Sequence, residues 1–228
     1  MHPLDNVIWN ALTTRQAEFA ESFEQARRFI PEVTSLGGFR EPTPGGYESL
    51  AALLDTGRTI ALFLDAPYEP RAGWNLVASA SLLQMVCENG GVAATSRASD
   101  SEVVELGATD SPEMIELAAL TKPGPFNKRT HELGTYLGIR RDGKLAAMAG
   151  ERLKVPGYTE VSAVCTHTEH TGRGYARILM TEVMRRIRSR AETPFLHVRE
   201  DNALAIGLYR RLGFGQRALL HLAVLRKD

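Results

Sequence analysis

Hydrophobic and polar positions in the second half of the chain follow the pattern of a protein that alternates strands with helices. Apolar residues recur at every second position in short segments and at every third or fourth position in longer ones, which predicts strands and helices respectively. The predicted order is β, α, β, β, β, α, β, α, β, with strands at 103–106, 135–140, 144–153, 159–167, 194–198 and 217–225 and helices at 112–120, 172–190 and 202–212. Ser111 is the predicted N-cap of the first helix. Turn signals at Asp142-Gly143 and Pro156-Gly157 separate the second, third and fourth strands, which predicts an antiparallel meander.

The first 100 residues carry a weaker pattern. Segment 16–30 mixes phenylalanines with charged residues, and either a helix or two short strands would accommodate it. The other predictions for this region are a helix at 47–55, buried strands at 59–64 and 76–86, and a linker at 88–100. We therefore expect a smaller N-terminal α/β lobe over residues 1–100 and a second unit over residues 101–228.

The composition is that of an ordinary globular protein. Of the 228 residues, 43% are hydrophobic and 24% are charged, which excludes a disordered chain. The chain has 27 Lys and Arg against 27 Asp and Glu, which excludes a polybasic nucleic-acid coat. This balance hides an asymmetry, because residues 171–228 carry a net charge of +7 and residues 1–170 carry −7.

Nothing in the sequence indicates a membrane or a disulfide framework. No apolar run approaches the ~20 residues that span a bilayer, and the N-terminal residues lack the pattern of a signal peptide. Cys87 and Cys165 lie in apolar strand-like runs, which is typical of buried thiols. We therefore expect a soluble, cytoplasmic protein with no membrane partner.

The junction between the fourth strand and the long helix is the most informative segment. A strand leads into Gly172 and Gly174, and the unpaired N–H groups and positive dipole end of the following helix face this turn. The glycines let a phosphate approach the backbone, and Arg173 adds positive charge. The segment therefore predicts a pyrophosphate site, and glycines that serve only the turn geometry are the alternative. The Gly-Lys-Ser/Thr ending of a P-loop is missing, and the antiparallel meander disfavours a dinucleotide-binding βαβ unit.

Two motifs of the second unit resemble those of the GNAT superfamily of acyl-CoA-dependent N-acetyltransferases, in the family's order and separation. The pyrophosphate motif, usually Gln/Arg-x-x-Gly-x-Gly/Ala, corresponds to Thr171-Gly172-Arg173-Gly174-Tyr175-Ala176. Thr171 replaces the usual Gln or Arg, which matters little because the family binds there mainly through backbone N–H groups. The motif Asn-x-x-Ala-x-x-Leu-Tyr-x-x-x-Gly-Phe is matched in full by Asn202, Ala205, Leu208, Tyr209, Gly213 and Phe214. The resemblance covers residues 101–228, and a degenerate copy of the same fold is one interpretation of the N-terminal lobe.

The resemblance implies a mixed, mostly antiparallel sheet flanked by helices, with acetyl-CoA as the cosubstrate. In this family the strands separate after the fourth one, and pantetheine adds to that strand, which here implicates the backbone of Val164, Cys165 and Thr166. A backbone N–H near Thr166 would hold the oxyanion of the tetrahedral intermediate, and Asn202 would hold pantetheine. The implied cofactor-binding set also includes residues 171–176 and Ala205. The implied reaction is direct acetyl transfer to a primary amine in a ternary complex.

Tyr209 and Glu160 are the candidate catalytic residues. The resemblance implies that Tyr209 is the general acid for the departing thiolate, and a phenol with a reference pKa of about 10 is protonated at neutral pH. A buried packing tyrosine is the alternative. Glu160 opens the fourth strand, and its spacing to the glycine turn resembles that of the base in the histone-acetyltransferase branch. Its alternatives are an exposed carboxylate or a structural partner of Arg152, with water accepting the proton.

The loop at 121–132 is the predicted acceptor-side wall, because family acceptors enter near the first helices; an ordinary surface loop is the alternative. We expect the acceptor to be a small-molecule or peptide amine, and the net charge of −7 on residues 1–170 would suit a cationic one. No nucleic-acid partner is expected, because the arginines at 185–190 fit a solvated helix face. A homodimer is compatible with the sequence.

Other kinds of chemistry find less support in the sequence. Cys165, His167 and His170 lack a fourth ligand for zinc, so no metal is expected. Cys165 as a nucleophile has no basic partner placed for it beyond His167. The competing class of function is a non-catalytic acyl-CoA-binding regulatory or sensor module.

Overall fold

The computed structural model describes residues 2–88 and 103–228, and this part of the chain forms two sheets with helices packed around them. The strands there are β1 Ala20–Phe23, β2 Ala26–Phe29, β3 Gly37–Phe39, β4 Thr59–Leu64, β5 Trp74–Val86, β6 Val103–Leu106, β7 Tyr136–Arg141, β8 Lys144–Val155, β9 Tyr158–Thr166, β10 Thr193–Arg199 and β11 Gly215–Lys227. The helices there are α1 Val7–Thr13, α2 Pro44–Ala52, α3 Ser111–Thr121, α4 Tyr175–Ser189 and α5 Ala203–Arg211.

The main sheet has eight strands within the described residues, in the order β4-β11-β5-β10-β9-β8-β7-β6. β9 and β10 run parallel, and the other neighbouring pairs run antiparallel. The mixed, mostly antiparallel sheet expected from the sequence is therefore confirmed, as is the meander of β7, β8 and β9. Strands β1, β2 and β3 form a separate small sheet.

The N-terminal segment contributes two strands to the main sheet. β5 lies between β10 and β11, and β4 lies beyond β11. In this register Val86 pairs with Phe195 on one side, and Leu83 pairs with Leu219 on the other. The division into units at residues 1–100 and 101–228 stays a prediction, although both segments share this one sheet. The linker predicted at 88–100 lies, from residue 89 onward, outside the described residues.

Helices cover both faces of the main sheet. α4 packs on one face through its apolar stripe, in which Leu179, Met180 and Ile187 are fully buried. α1 and α3 pack on the opposite face. Alternation along β5 directs Met85 toward the α4 side and Val86 toward the α1 side, as the two-residue period of a strand requires. Within residues 2–88 and 103–228, none of the helices is long and apolar enough to cross a membrane.

Two local predictions are decided or corrected by the structure. Segment 16–30 takes the two-strand alternative, and β1 and β2 pair through a tight turn at Glu24, which has φ of 40°. The prediction that Ser111 caps α3 is wrong, because Ser111 is the first residue inside the helix. Its hydroxyl instead donates to the carbonyl oxygen of Lys128 at 2.8 Å, which ties the helix start to the loop that follows the helix.

Candidate active site

The first component of the site is a cleft between β9 and β10. Their parallel pairing covers only residues 158–160 and 193–195, although β9 continues to Thr166 and β10 continues to Arg199. Beyond these pairs, no strand among the described residues pairs with the edge of β9 that faces β10. Val164, Cys165 and Thr166 lie on this unpaired stretch. An extended ligand can therefore add to β9 in the manner of a further strand.

β9 carries a bulge at the mouth of this cleft. Met148 pairs with Cys165 and Gly150 pairs with Ser162, so that one residue of β8 faces two residues of β9. Ala163, the first of these two, has φ of 51°. A bulge leaves a residue outside the regular ladder and bends the strand, here next to the stretch of β9 that β10 leaves unpaired.

The second component is the glycine turn between β9 and α4. Gly172 and Gly174 have φ of 77° and 79°, so α4 begins at Tyr175 and not at residue 172 as predicted. A Cβ at either glycine would meet no atom within 4 Å, and Thr171 and Arg173 are exposed. No side chain of the described residues caps α4, so its first N–H groups face this open space. This geometry suits a phosphate at a helix N-terminus.

Tyr175 and Ala176 are less exposed than residues 171–174 of the turn. The side chain of Tyr175 is buried, and its hydroxyl accepts a hydrogen bond from Nε of Arg141 at 2.8 Å. The same guanidinium lies 4.9 Å from the centre of the tyrosine ring. The N–H groups of Tyr175 and Ala176, and not the tyrosine side chain, are therefore what these residues present to a ligand.

α5 packs against the same hydrophobic cluster as Val164, which lies on the β9 side of the cleft. Val164 of β9 and both Ala205 and Tyr209 of α5 pack against this cluster, which includes buried residues of β10 and α4. Asn202 caps α5, since its Oδ1 accepts a hydrogen bond from the N–H of Ala205 at 3.1 Å. The exposed Nδ2 of Asn202 remains as the donor that a ligand could use.

The surroundings of Tyr209 favour the protonated form of its phenol. Burial raises the pKa of its hydroxyl to about 12, so it keeps its proton throughout the physiological range. Its carbonyl oxygen accepts a hydrogen bond from the N–H of Phe214 at 3.0 Å, which helps to end α5. Its ring lies 6.2 Å from the ring of Phe214.

Glu160 is buried and fully engaged in contacts within the protein. Nε and Nη2 of Arg152 donate to its two oxygens at 2.8 Å and 2.7 Å. The N–H of Leu153 and Nδ1 of His197 donate to it as well, at 3.2 Å and 2.7 Å. Burial by itself would raise the pKa of Glu160, but the charge and hydrogen bonds of Arg152 outweigh it and lower the pKa to about 2. These contacts argue against a general base and favour the alternative of a structural partner for Arg152.

The contacts of Glu160 continue as a polar chain across the sheet, which is buried up to Gln84 and ends at the partly exposed Arg217. Nε2 of Gln84 donates to Nε2 of His197 at 3.1 Å, and Nη1 of Arg217 donates to Oε1 of Gln84 at 2.7 Å. The participating side chains come from five strands, β8, β9, β10, β5 and β11. Sequence reasoning missed His197 and Gln84, because each has apolar neighbours on both sides in its strand and its partners are more than 35 residues away.

A small closed void, without room for a water molecule, lies beside the bulge, and we call it the bulge pocket. Its lining includes Tyr136, Arg152, Ser162 and Ala163 together with residues 123–126 of the predicted acceptor-side loop. Tyr136 is buried, and its hydroxyl has no hydrogen-bond partner within the described residues.

Tyr136 is a residue that sequence reasoning missed. No local signal in the sequence marks it, and only the structure shows that a Cβ at Gly150 would come within 2.3 Å of the Tyr136 ring, so that glycine is needed there to make room. The hydroxyl of Tyr136 is an unused donor beside this void, and an acceptor reaches it only when the surrounding side chains move.

The structure does not bring the remaining candidates together as a reactive or metal-binding group. Burial raises the pKa of the Cys165 thiol to about 11, so the thiolate is scarce at neutral pH. The rings of His167 and His170 lie 5.9 Å apart. In the part of the chain that the structure describes, no three histidine, cysteine or acidic side chains form a group suited to a metal ion.

Comparisons with known proteins agree on one family. The model of the FR47-like protein family matches residues 136–221, which include β7 through most of β11. An acetyltransferase structure assigned to the GNAT family, from Novosphingobium aromaticivorans, is 38% identical, covers the full length of both chains and superposes with a TM-score of 0.92. The N-alpha-acetyltransferase RimI of Mycobacterium tuberculosis is 33% identical over 132 residues, which are 50% of this chain and 80% of RimI.

A more distant structure matches the fold as well. The GCN5-related N-acetyltransferase of Kribbella flavida is 18% identical, with a TM-score of 0.60 and coverage of 96% of this chain and 92% of that one. It supports the fold alone. Together with the glycine turn, the separated strands and the two closer relatives, the comparisons show that this chain belongs to the GNAT superfamily of N-acetyltransferases.

Proposed function

We propose that this protein transfers an acetyl group from acetyl-CoA to a primary amine by direct attack in a ternary complex. The observation that carries the proposal is the cleft between β9 and β10, which leads into the open glycine turn at the start of α4. A ligand that combines an extended, amide-bearing arm with a pyrophosphate would match the cleft and the turn in the order in which they adjoin. Coenzyme A is such a ligand.

The residues in the cleft and the turn suit the two parts of this cosubstrate. The free edge of β9 along Val164, Cys165 and Thr166, opposite the edge that pairs with β8, would hold the pantetheine arm as an added strand. The N–H groups of residues 171–176 would hold the pyrophosphate, with Arg173 supplying charge at the exposed turn. The exposed Nδ2 of Asn202 would bind the arm from the side of α5, where Ala205 is small enough to leave space for it.

Acyl transfer needs a donor for the oxyanion and a donor for the leaving thiolate. A backbone N–H near Thr166, next to the bulge, would stabilise the oxyanion of the tetrahedral intermediate. Tyr209, whose pKa is raised to about 12, enters the reaction protonated and would donate a hydrogen bond to the departing sulfur.

The attacking amine must be neutral, and Glu160 is poorly suited to remove its proton. Its pKa of about 2 and its contacts with Arg152 and His197 leave it charged but occupied. We therefore assign proton removal to water in the cleft, so turnover should rise with pH as more of the amine is deprotonated.

Two measurements test the proposal. Calorimetry should detect binding of CoA and no comparable binding of NAD, and a panel of primary amines should release thiol from acetyl-CoA with at least one acceptor. CoA binding without turnover on any amine would instead indicate a non-catalytic sensor. Binding of NAD in preference to CoA would overturn the assignment of the glycine turn.

A further inference from the structure

A cavity of about 470 Å³ lies between the N-terminal segment and the predicted acceptor-side loop. Residues 28–36 and the start of β4 form one wall, and Ile115 of α3 and residues 126–128 form the other. Binding pockets for small organic molecules measure roughly 300–1,000 Å³, so the volume suits such a ligand.

Hydrogen bonds join the two walls into one structure. Nδ2 of Asn127 donates to the carbonyl oxygen of Pro31 at 2.7 Å, and the Thr130 hydroxyl donates to the carbonyl oxygen of Val33 at 2.5 Å. The loop is therefore anchored to the N-terminal segment, and the cavity between them is a built feature of the fold.

The charges that line this cavity are mainly positive. Arg28, Arg58 and Lys128 contribute cations, and Glu32 contributes a carboxylate. Arg28 is paired with Glu21 at 2.6 Å, whereas no ion pair within residues 2–88 and 103–228 engages Arg58 or Lys128. The charges of these two side chains are available to a ligand, and we call the site the basic cavity.

A buried hydroxyl in the same wall lacks a partner. Thr34 lines the basic cavity and is fully buried, and its Oγ1 has no hydrogen-bond partner in the described part of the chain. Buried polar groups are normally paired, so this wall of the cavity holds a polar group that the described residues do not satisfy.

Phe126 lies between the basic cavity and the bulge pocket. It lines both the basic cavity and the bulge pocket, and its ring packs edge-on against the ring of Tyr136 at 5.5 Å. This one aromatic side chain therefore separates the two spaces, and an acceptor that reaches both must turn it aside.

We propose that the acceptor is a small primary amine that carries a carboxylate, and that the basic cavity binds this carboxylate. The inference rests on the proposed acetyl transfer and specifies its substrate class. It reverses the expectation of a cationic acceptor from the net charge of residues 1–170. Net charge sums over the whole surface, whereas a ligand responds to the few side chains that face it.

The test uses matched pairs of acceptors with the full-length protein. Each ω-amino acid, with two to eight carbons between its amine and its carboxylate, is compared with its own carboxamide. We expect kcat/KM to be at least about tenfold higher for the acid at one or more chain lengths, because a charge-assisted contact is lost in the amide. A further arm compares short amidated peptides with Glu or Gln at the third position, and a preference confined to these peptides would overturn the small-molecule assignment.

Variants locate the effect. R58Q and K128Q should each raise KM for the preferred acid about tenfold and leave kcat and the carboxamide kinetics nearly unchanged. Thr34→Val, which keeps the shape of the side chain, should act in the same direction. R40Q removes an exposed cation outside the cavity and should change neither substrate.

The outcomes separate this inference from the proposed function. Equal kcat/KM values for acids and their carboxamides would overturn the carboxylate site and leave the proposed acetyl transfer standing. An equal rise in KM for the preferred acid in R40Q and R58Q would do the same. Thiol release on no acceptor at all, despite acetyl-CoA binding, would overturn the proposed function itself, and the inference with it.

Discussion

Arg152 and Glu160 form a two-point ion pair between neighbouring strands, with Nε–Oε2 and Nη2–Oε1 distances of 2.8 Å and 2.7 Å. Both side chains are buried, and His197 donates to the same carboxylate at 2.7 Å. A carboxylate that is held in its charged form by several donors is a poor acceptor for a substrate proton near neutral pH. Because Arg152 also lines the bulge pocket, the pair is best explained as a rigid support for that pocket.

Glu160→Gln should destabilise the fold. Removal of one partner leaves the buried guanidinium of Arg152 uncompensated, which costs about 3–5 kcal/mol for pairs of this kind. Urea denaturation measures the change. The control is Asp201→Asn, which removes the carboxylate of an exposed pair with Arg199 and should leave the midpoint unchanged. A Glu160→Gln variant of normal stability that lost activity through an altered pH–rate profile would restore Glu160 as a base.

The contribution of Glu160 to stability should depend on pH in a defined direction. Its pKa is lowered from 4.5 to about 2 in the folded protein, so the stabilisation is complete above about pH 4.5 and is lost as the pH falls toward 2. The difference in unfolding free energy between wild type and Glu160→Gln should therefore shrink between pH 6 and pH 3. A difference that stays constant over this range would contradict the lowered pKa.

Tyr209→Phe should lower kcat by about 100-fold, the order of contribution expected from a positioned acid. The dissociation constant for acetyl-CoA should change less than about twofold, since the ring still packs against the hydrophobic cluster. Stopped-flow thiol release and calorimetry measure the two quantities. Tyr68→Phe removes a hydroxyl outside the site and serves as the control. Unchanged turnover in Tyr209→Phe would remove Tyr209 from the mechanism.

Gly174→Ala should weaken acetyl-CoA binding by about tenfold or more. The new Cβ would project into the open space at the start of α4, and alanine is strained at φ of 79°. Gly143→Ala is the matched control, because Gly143 has φ of 78° and equally open surroundings in the β7–β8 turn. If both variants lose similar stability and only Gly174→Ala binds acetyl-CoA more weakly, the result would support the pyrophosphate site. Equal affinities in the two variants would contradict it.

Tyr136→Phe should separate stability from activity. Its hydroxyl has no partner within the described residues, so its removal should leave the protein as stable or up to about 1 kcal/mol more stable. If the hydroxyl contacts the acceptor, KM for the amine should rise several-fold at unchanged affinity for acetyl-CoA. Tyr158→Phe, which loses a contact to His2 at 3.2 Å, should show no kinetic change. A Tyr136→Phe variant with unaltered KM would remove Tyr136 from acceptor binding.

Predictions from local pattern were the most successful. The strands at Thr59–Leu64 and Val103–Leu106 were predicted with their observed bounds, and the meander followed from two turn signals. Strand period and turn chemistry depend on neighbouring residues, so one sequence suffices to read them. The start of α4 was predicted three residues early, because the positive φ of Gly172 and Gly174 is compatible with several turns and only the folded backbone decides among them.

By itself, the sequence determined the class of fold, the order of its elements in residues 103–228 and the two motifs that indicate coenzyme A. These properties are local, or they rest on spacing within one segment. Only the tertiary structure decided that β5 lies between β10 and β11, that Glu160 is enclosed by Arg152 and His197, and that cations of two distant segments line one cavity. Strand neighbours and buried charge pairs join residues far apart in the chain, and their energies depend on burial, which emerges only when the whole sheet is assembled.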